Sequence, residues 1–212
     1  MPDLNGSESS NADVSLKALV PTLKNGTEPL THRGAPAGAT LHDFWSWACS
    51  DLVNNTLRGM LAEYIVGLAL GCVAGTTRVE WDASDLKTAK GITVEVKSSA
   101  YVQSWEQTRL SDISFGIKPT FGWDGATNTY ATERERQADV YVFCVFTPTD
   151  KTIADPLNLD QWDFYVLSTK QLNDAVGNQA SIGLSRLRRC NPTKSTFAEL
   201  RTAVETAVCE EG

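Results

Sequence analysis

A chain of 212 residues, 42% hydrophobic and 8% aromatic, is long enough for one sizeable domain with its own core and too ordinary in composition to be disordered or fibrous. Its formal net charge of −7 argues against a generic, charge-driven nucleic-acid binder, while a compact basic patch on an otherwise acidic surface stays open. The five cysteines are scattered and lack CxxC spacing, which argues against a zinc site and predicts a reduced, cytoplasmic chain. The longest nearly apolar run, Tyr64 to Gly75, is too short to span a bilayer, and no charged-then-apolar leader pattern opens the sequence.

Residues 1–39 are rich in Ser, Asn, Gly, Pro and Thr, with one apolar piece from Val14 to Leu23, and read as a flexible N-terminal extension. A single folded domain is expected over 40–212. It opens at Thr40, an N-cap with Asp43 three residues on as a capping-box variant, ahead of an amphipathic helix bearing Phe44, Trp45 and Trp47. A second helix is predicted from about Thr56 to Leu70, stopped by Gly71. It is apolar nearly all round, which predicts burial against a sheet. Glu63 stands in its middle, where an unpaired carboxylate costs several kcal/mol or is forced neutral. Gly59 and Gly67 flank it at i−4 and i+4, a bare stripe that predicts close approach of the helix to the strands and aims Glu63 at whatever they carry. A Glu63 paired with Arg58 is the plain structural alternative.

The stretch that follows carries the chemistry. Ile92 to Lys97 alternates and is β-branched, so it reads as a strand on which Glu95 and Lys97 project to one side and Val94 and Val96 to the other. Trp81 to Lys87 is predicted as its hairpin partner. With a loop of Ala89-Lys90-Gly91, and Gly91 left-handed, Asp85 falls opposite Glu95; a loop of Ala89-Lys90 would instead set Asp82 opposite Lys97. Either register brings two carboxylates and a lysine to one face. Facing carboxylates raise one another's pKa unless a cation lies between them, and oxygen-only ligands suit Mg²⁺ or Mn²⁺. A neighbouring lysine can orient a nucleophilic water and stabilise charge developing on a phosphate.

Downstream, Ser98 and Ser99 are candidate phosphate donors or turn caps, Gln103 and Trp105 candidate nucleotide contacts with Trp105 weighted toward the core. Ile113 to Ile117 reads as a short strand, and Lys118 to Gln137 as a long irregular flap bearing Arg134 and Arg136. Ala138 to Phe146 is a continuous apolar run, a central buried strand. A further strand covers Asp160 to Val166, and Ser168 opens a short helix. Ser181 to Cys190 alternates like a strand and carries Arg186, Arg188 and Arg189, the best basic patch. Thr196 and Glu199 cap a closing amphipathic helix with Phe197, Leu200, Val204 and Val208 on one stripe.

Asp85 and the triplet Glu95-Val96-Lys97 resemble the active-site motif of the PD-(D/E)XK nuclease superfamily, with Ser84 where a proline is common. Gly59 and Glu63 match the spacing in the first helix of resolvase-like and Mrr-like members. The resemblance covers roughly Leu57 to Trp105 plus the strand Ala138 to Phe146, not the termini, and implies an α/β fold: a central mixed β-sheet flanked by helices, with a restriction-endonuclease-like αβββαβ core. It also implies a Mg²⁺- or Mn²⁺-dependent DNA endonuclease of restriction, repair or defence type. Asp85 and Glu95 are then metal ligands, Glu63 completes or supports the shell, and Lys97 positions the attacking water. Asp82 competes with Asp85 for the first ligand position. A homodimer is one arrangement the resemblance offers, with the Trp-rich first helix as its surface. The rival is a non-catalytic nucleic-acid-binding or assembly module retaining the fold, and an RNA-cleaving enzyme is a third reading.

Overall fold

In a computed structural model, residues 19–78, 83–124 and 129–209 are described; Asp82 and residues 1–18 lie outside them. The chain forms β1 (Pro29–His32), β2 (Ala35–Thr40), α1 (Leu41–Cys49), α2 (Asn55–Leu70), β3 (Leu86–Lys87) and β4 (Thr93–Ala100). Then come β5 (Ser114–Gly116), β6 (Thr120–Asp124), β7 (Thr129–Glu135), β8 (Val140–Phe146) and β9 (Trp162–Ser168). The last elements are α3 (Thr169–Val176), β10 (Ser181–Gly183), α4 (Leu184–Arg189), β11 (Thr193–Ser195) and α5 (Leu200–Cys209).

The centre is a five-stranded sheet in the order β11-β9-β8-β4-β3. It is mixed: β4 and β8 run parallel, and the other neighbours are antiparallel. The expected mixed sheet flanked by helices is therefore the architecture. Strand alternation splits the core into two layers. Val94, Val96, Val140, Val142, Cys144 and Phe146 face α2 and α5, meeting Ala62, Ile65, Val66, Leu200 and Val204. Tyr141, Phe143, Val145, Tyr165 and Leu167 face the other way, onto Phe115, Leu172, Ile182 and Leu187.

The caps form where the side chains that make them stand. Thr40 and Asp43 exchange capping bonds at the start of α1, Ser168 and Gln171 do so for α3, and Thr196 and Glu199 for the 3₁₀ turn that leads into α5. Gly71 ends α2 at φ +73°, where its amide bonds the Gly67 and Leu68 carbonyls. Ahead of α1, β1 and β2 form an exposed hairpin that turns through Arg33 and Gly34, both at positive φ. This hairpin is tied to α1 by Leu41 N–H to the Glu28 carbonyl and His42 N–H to that of Gly26, 2.9 Å each. No residue of α1 is buried, and Trp47 is 84% exposed. Among the described residues, no helix is long and apolar enough to cross a membrane.

Three expectations need correction. The stretch Lys118 to Gln137 is not irregular: β6 and β7 pair as an antiparallel hairpin with one register shift, as their Thr- and aromatic-rich sequences favour. Ser181 to Cys190 is a strand only to Gly183; Leu184 and Leu187, three apart and buried, then define a helical face, so the arginines ride on α4. Of the glycine stripe on α2, Gly67 alone meets the sheet side. A Cβ there would lie 2.2 Å from Val73 Cγ1 and 3.1 Å from Leu86 Cδ2, whereas Gly59 has nothing within 4 Å.

Candidate active site

The hairpin fixes the geometry. Thr88 N–H bonds the Ile92 carbonyl at 2.9 Å, and Gly91 stands at φ +85°, which closes the loop over Ala89-Lys90-Gly91. Lys87 pairs with Thr93 and Leu86 with Val94, which brings Asp85, the residue just before β3, close to Glu95. There the β3 backbone leaves the ladder. Asp85 Oδ2 takes over, accepting Val96 N–H at 2.7 Å where a backbone carbonyl would otherwise do so. On β4, Val94 and Val96 anchor the strand in the α2/α5 core, which turns Glu95 and Lys97 to the opposite face. Lys97 Nζ lies 2.5 Å from Glu95 Oε1, with the lysine side chain 31% exposed and the glutamate 20%.

Asp85, Glu95 and Lys97 share a cleft of about 230 Å³ with Ser84, Lys118 and Tyr141. Asp85 titrates high, at about 6, because burial strips water from its carboxylate and because Glu95 faces it; the Val96 amide and Lys97 only partly compensate, and Glu63 adds a further unfavourable charge. Tyr141 is also pushed upward, by burial and then by Glu95, so its phenol stays neutral.

Glu63 sits to one side. Its two carboxylate oxygens are gripped by Arg78, Nε to Oε2 at 2.6 Å and Nη2 to Oε1 at 3.0 Å, a forked pair in which the glutamate side chain is 17% exposed. Together with Met60, Tyr64, Val73 and Leu86 this pair lines a second cleft, of about 260 Å³, that meets the first at Ser84 and Asp85. Glu63 thus acts on Asp85 through space, from a helix packed on the other face of the sheet. The Arg58 alternative does not occur. Arg58 is buried and bonds the Val53 carbonyl, Asn55 Oδ1 and Gln103 Oε1 instead. Among the described residues, no group of three His, Cys, Asp or Glu side chains converges as a ready-made metal cage.

Several other candidates have structural duties. Gln103 is buried, donating to the Ala100 carbonyl and Ser111 Oγ while accepting from Arg58. Trp105, weighted toward the core, is half exposed. Ser99 Oγ accepts the Ser114 amide, and Ser98 Oγ is buried with no partner among the described residues. Arg136 is buried and donates to the Ile117, Gly177 and Gln179 carbonyls and to Asn173 Oδ1, a clamp between β5, β7 and α3. Arg134 stacks over Phe121, Arg188 bonds the Tyr165 hydroxyl, and Arg186 bonds the Ala175 carbonyl. Sequence reasoning missed Tyr141, Lys118 and Arg78. Tyr141 lay within a run that reads as buried throughout, and only its strand parity, once β8 is set beside β4, shows that it shares the Glu95 face.

The family model described as Bacteriophage T4 endonuclease IV matches residues 46–185, about two thirds of the chain and a span that contains Glu63, Asp85, Glu95 and Lys97. No curated protein matches.

Proposed function

The chain belongs to the bacteriophage T4 endonuclease IV family, and on that premise we propose that it is a divalent-cation-dependent DNA endonuclease with a site of the PD-(D/E)XK type. The observation that carries this reading is the register that sets Asp85 across from Glu95 with Lys97 beside it on one cleft face. Two facing carboxylates with the Lys97 ammonium on Glu95, the other carboxylate already titrating at about 6, form a hard-oxygen donor set that a cation would complete. That donor set fits Mg²⁺ or Mn²⁺. Asp85 and Glu95 would hold the ion, and Glu63, neutralised by Arg78, would support it from the second cleft.

When bound, such an ion would supply charge neutralisation and polarisation at the scissile phosphate. The chain's own residues do the rest. Val96 N–H holds the Asp85 carboxylate in one orientation. Glu95 keeps the Lys97 ammonium in the cleft, where it orients the attacking water and stabilises charge as that water's oxygen bonds phosphorus and the bridging P–O bond breaks. Lys118, which also lines the cleft, adds positive charge where DNA phosphates would lie, on a protein whose net charge is −7.

The test is incubation of the purified protein with plasmid and with single-stranded DNA in Mg²⁺, Mn²⁺ or EDTA, beside Lys97→Ala. Cutting that requires the cation and vanishes in the variant is the expected result. Cutting that persists in EDTA, or in the variant, would overturn the assignment.

A further inference from the structure

We propose that Tyr141 is a further catalytic residue, its phenol hydroxyl donating a hydrogen bond to a non-bridging oxygen of the scissile phosphate. The inference rests on the cleft reading above and deepens it.

Placement comes first. Glu95 pairs with Tyr141, and Lys97 with Phe143, in the parallel β4–β8 ladder. In-register neighbours on parallel strands project to the same face, so the tyrosine stands directly beside the metal-ligand glutamate. The residue is 5% exposed, and its ring is stacked on Phe143, with centroids 5.8 Å apart and planes 26° from parallel. Phe143 is itself packed edge-on to Phe115 at 5.0 Å. The ring is therefore held from behind, and the residue lines the cleft together with Asp85, Glu95, Lys97 and Lys118.

The donor comes second. Among the described residues, no side chain or carbonyl takes the Tyr141 hydroxyl proton. By contrast, Tyr165 in the same layer meets Asp163 and Arg188, and Trp162 in the opposite layer donates to the Pro156 carbonyl. A phenol on a ring held in place, in a residue that lines a cleft of carboxylates and lysines, is a donor that needs little reorganisation to meet a ligand there. It adds a donor for an oxyanion without adding a cation that would compete for Asp85 and Glu95. A phosphate bound in this cleft would meet Lys97, Lys118 and the Tyr141 hydroxyl, all three of which line it.

Tyr141→Phe deletes the hydroxyl and keeps the ring and its stacking. The experiment measures single-turnover cleavage of an oligonucleotide whose scissile phosphate is normal, or the Rp or Sp phosphorothioate, by the wild type, Tyr141→Phe and Lys97→Ala. Expected are an unchanged melting temperature, a loss of about tenfold to hundredfold on the normal phosphate, and a little-changed KM. Sulfur is a poor acceptor. The rate ratio of oxygen to sulfur should therefore shrink in Tyr141→Phe for one diastereomer and not for the other. An unchanged rate overturns the proposal, and so does a slower rate with both ratios intact, which is the mark of a purely structural ring. Full activity in Lys97→Ala would instead remove the cleft reading and this inference with it. Loss in Lys97→Ala with none in Tyr141→Phe removes the inference alone.

Discussion

The Asp85 carboxylate accepts the Val96 backbone N–H at 2.7 Å and so ends the β3–β4 ladder with a side chain in place of a carbonyl. This bond holds a partly desolvated acid opposite Glu95, in a position it would leave if charge repulsion alone decided. The hairpin stores an electrostatic cost that a cation in the cleft would relieve.

The stability of the cation-free protein should therefore fall as pH rises. A carboxyl whose folded pKa is raised from 3.8 to about 6 contributes its stability below pH 4 and loses it progressively up to pH 6. The loss amounts to at most about 3 kcal/mol, since part of the group still meets water. Asp85→Asn cannot ionise and can still accept the Val96 amide. In EDTA it should match the wild type near pH 4 and exceed it by about 1–3 kcal/mol at pH 7. Urea denaturation across this range is the check; parallel curves for the two proteins would contradict the burial and repulsion inferred for Asp85.

Divalent cations should raise the melting temperature of the wild type at pH 7, by about 1–2 kcal/mol of stability at ten times the dissociation constant. At pH 4.5 the increment should vanish, because Asp85 is then protonated. Neither Asp85→Asn nor Glu95→Gln should show it at any pH. A full Mg²⁺-dependent shift in both variants would place the ion elsewhere. Differential scanning fluorimetry with matched Ca²⁺ and Mg²⁺ titrations reads this without any cleavage assay.

The two glycines of α2 should respond oppositely to alanine. At Gly59 the added methyl meets nothing within 4 Å, so helix propensity dominates and the protein gains about 0.5–1 kcal/mol. At Gly67 it would sit 2.2 Å from Val73 Cγ1 and press on Leu86, the residue before which Asp85 is held. Overpacking there should cost about 1–3 kcal/mol. It should also slow cleavage more than stability alone explains, by moving β3. Equal effects at the two positions would mean that α2 does not brace the hairpin through Gly67.

Gln103→Leu should act on folding and not on DNA. It removes the acceptor of the buried Arg58 guanidinium and the donor to Ala100 and Ser111. Leaving those groups unpaired should cost about 1–3 kcal/mol. Cleavage per folded molecule and affinity for DNA should be unchanged, which chemical denaturation and fluorescence anisotropy measure separately. A loss of DNA affinity at full stability would restore the nucleotide-contact role.

What the sequence by itself determined is local. The caps at Thr40, Ser168 and Thr196 and the stop at Gly71 are each set within a few residues of chain, where side-chain reach and allowed φ decide the outcome. The hairpin belongs here only in part: strand period puts Glu95 and Lys97 on one face, but the sequence leaves two loops open, and the folded turn, with Gly91 at φ +85°, takes the three-residue one that brings Asp85 toward Glu95. Pattern also gave a buried central strand and a buried helix, because β8 is apolar on both faces and α2 nearly all round, while the mixed sheet flanked by helices is what the resemblance implies.

Tertiary structure decided whatever depends on residues far apart in the chain. Glu63 could be read as pointing at the carboxylate pair, but only the folded loop after α2 brings Arg78 to grip it. Arg136 and Gln103 looked like substrate contacts and are spent on buried carbonyls and amides, since an unpaired donor inside costs more than one in water. Helix took over at Leu184 because Leu184 and Leu187 bury together, which a strand could not do with both. Tyr141 shows the divide most plainly. Its type and its strand were legible, but its place beside Glu95 follows from the parallel register of two strands 46 residues apart, which no local pattern specifies.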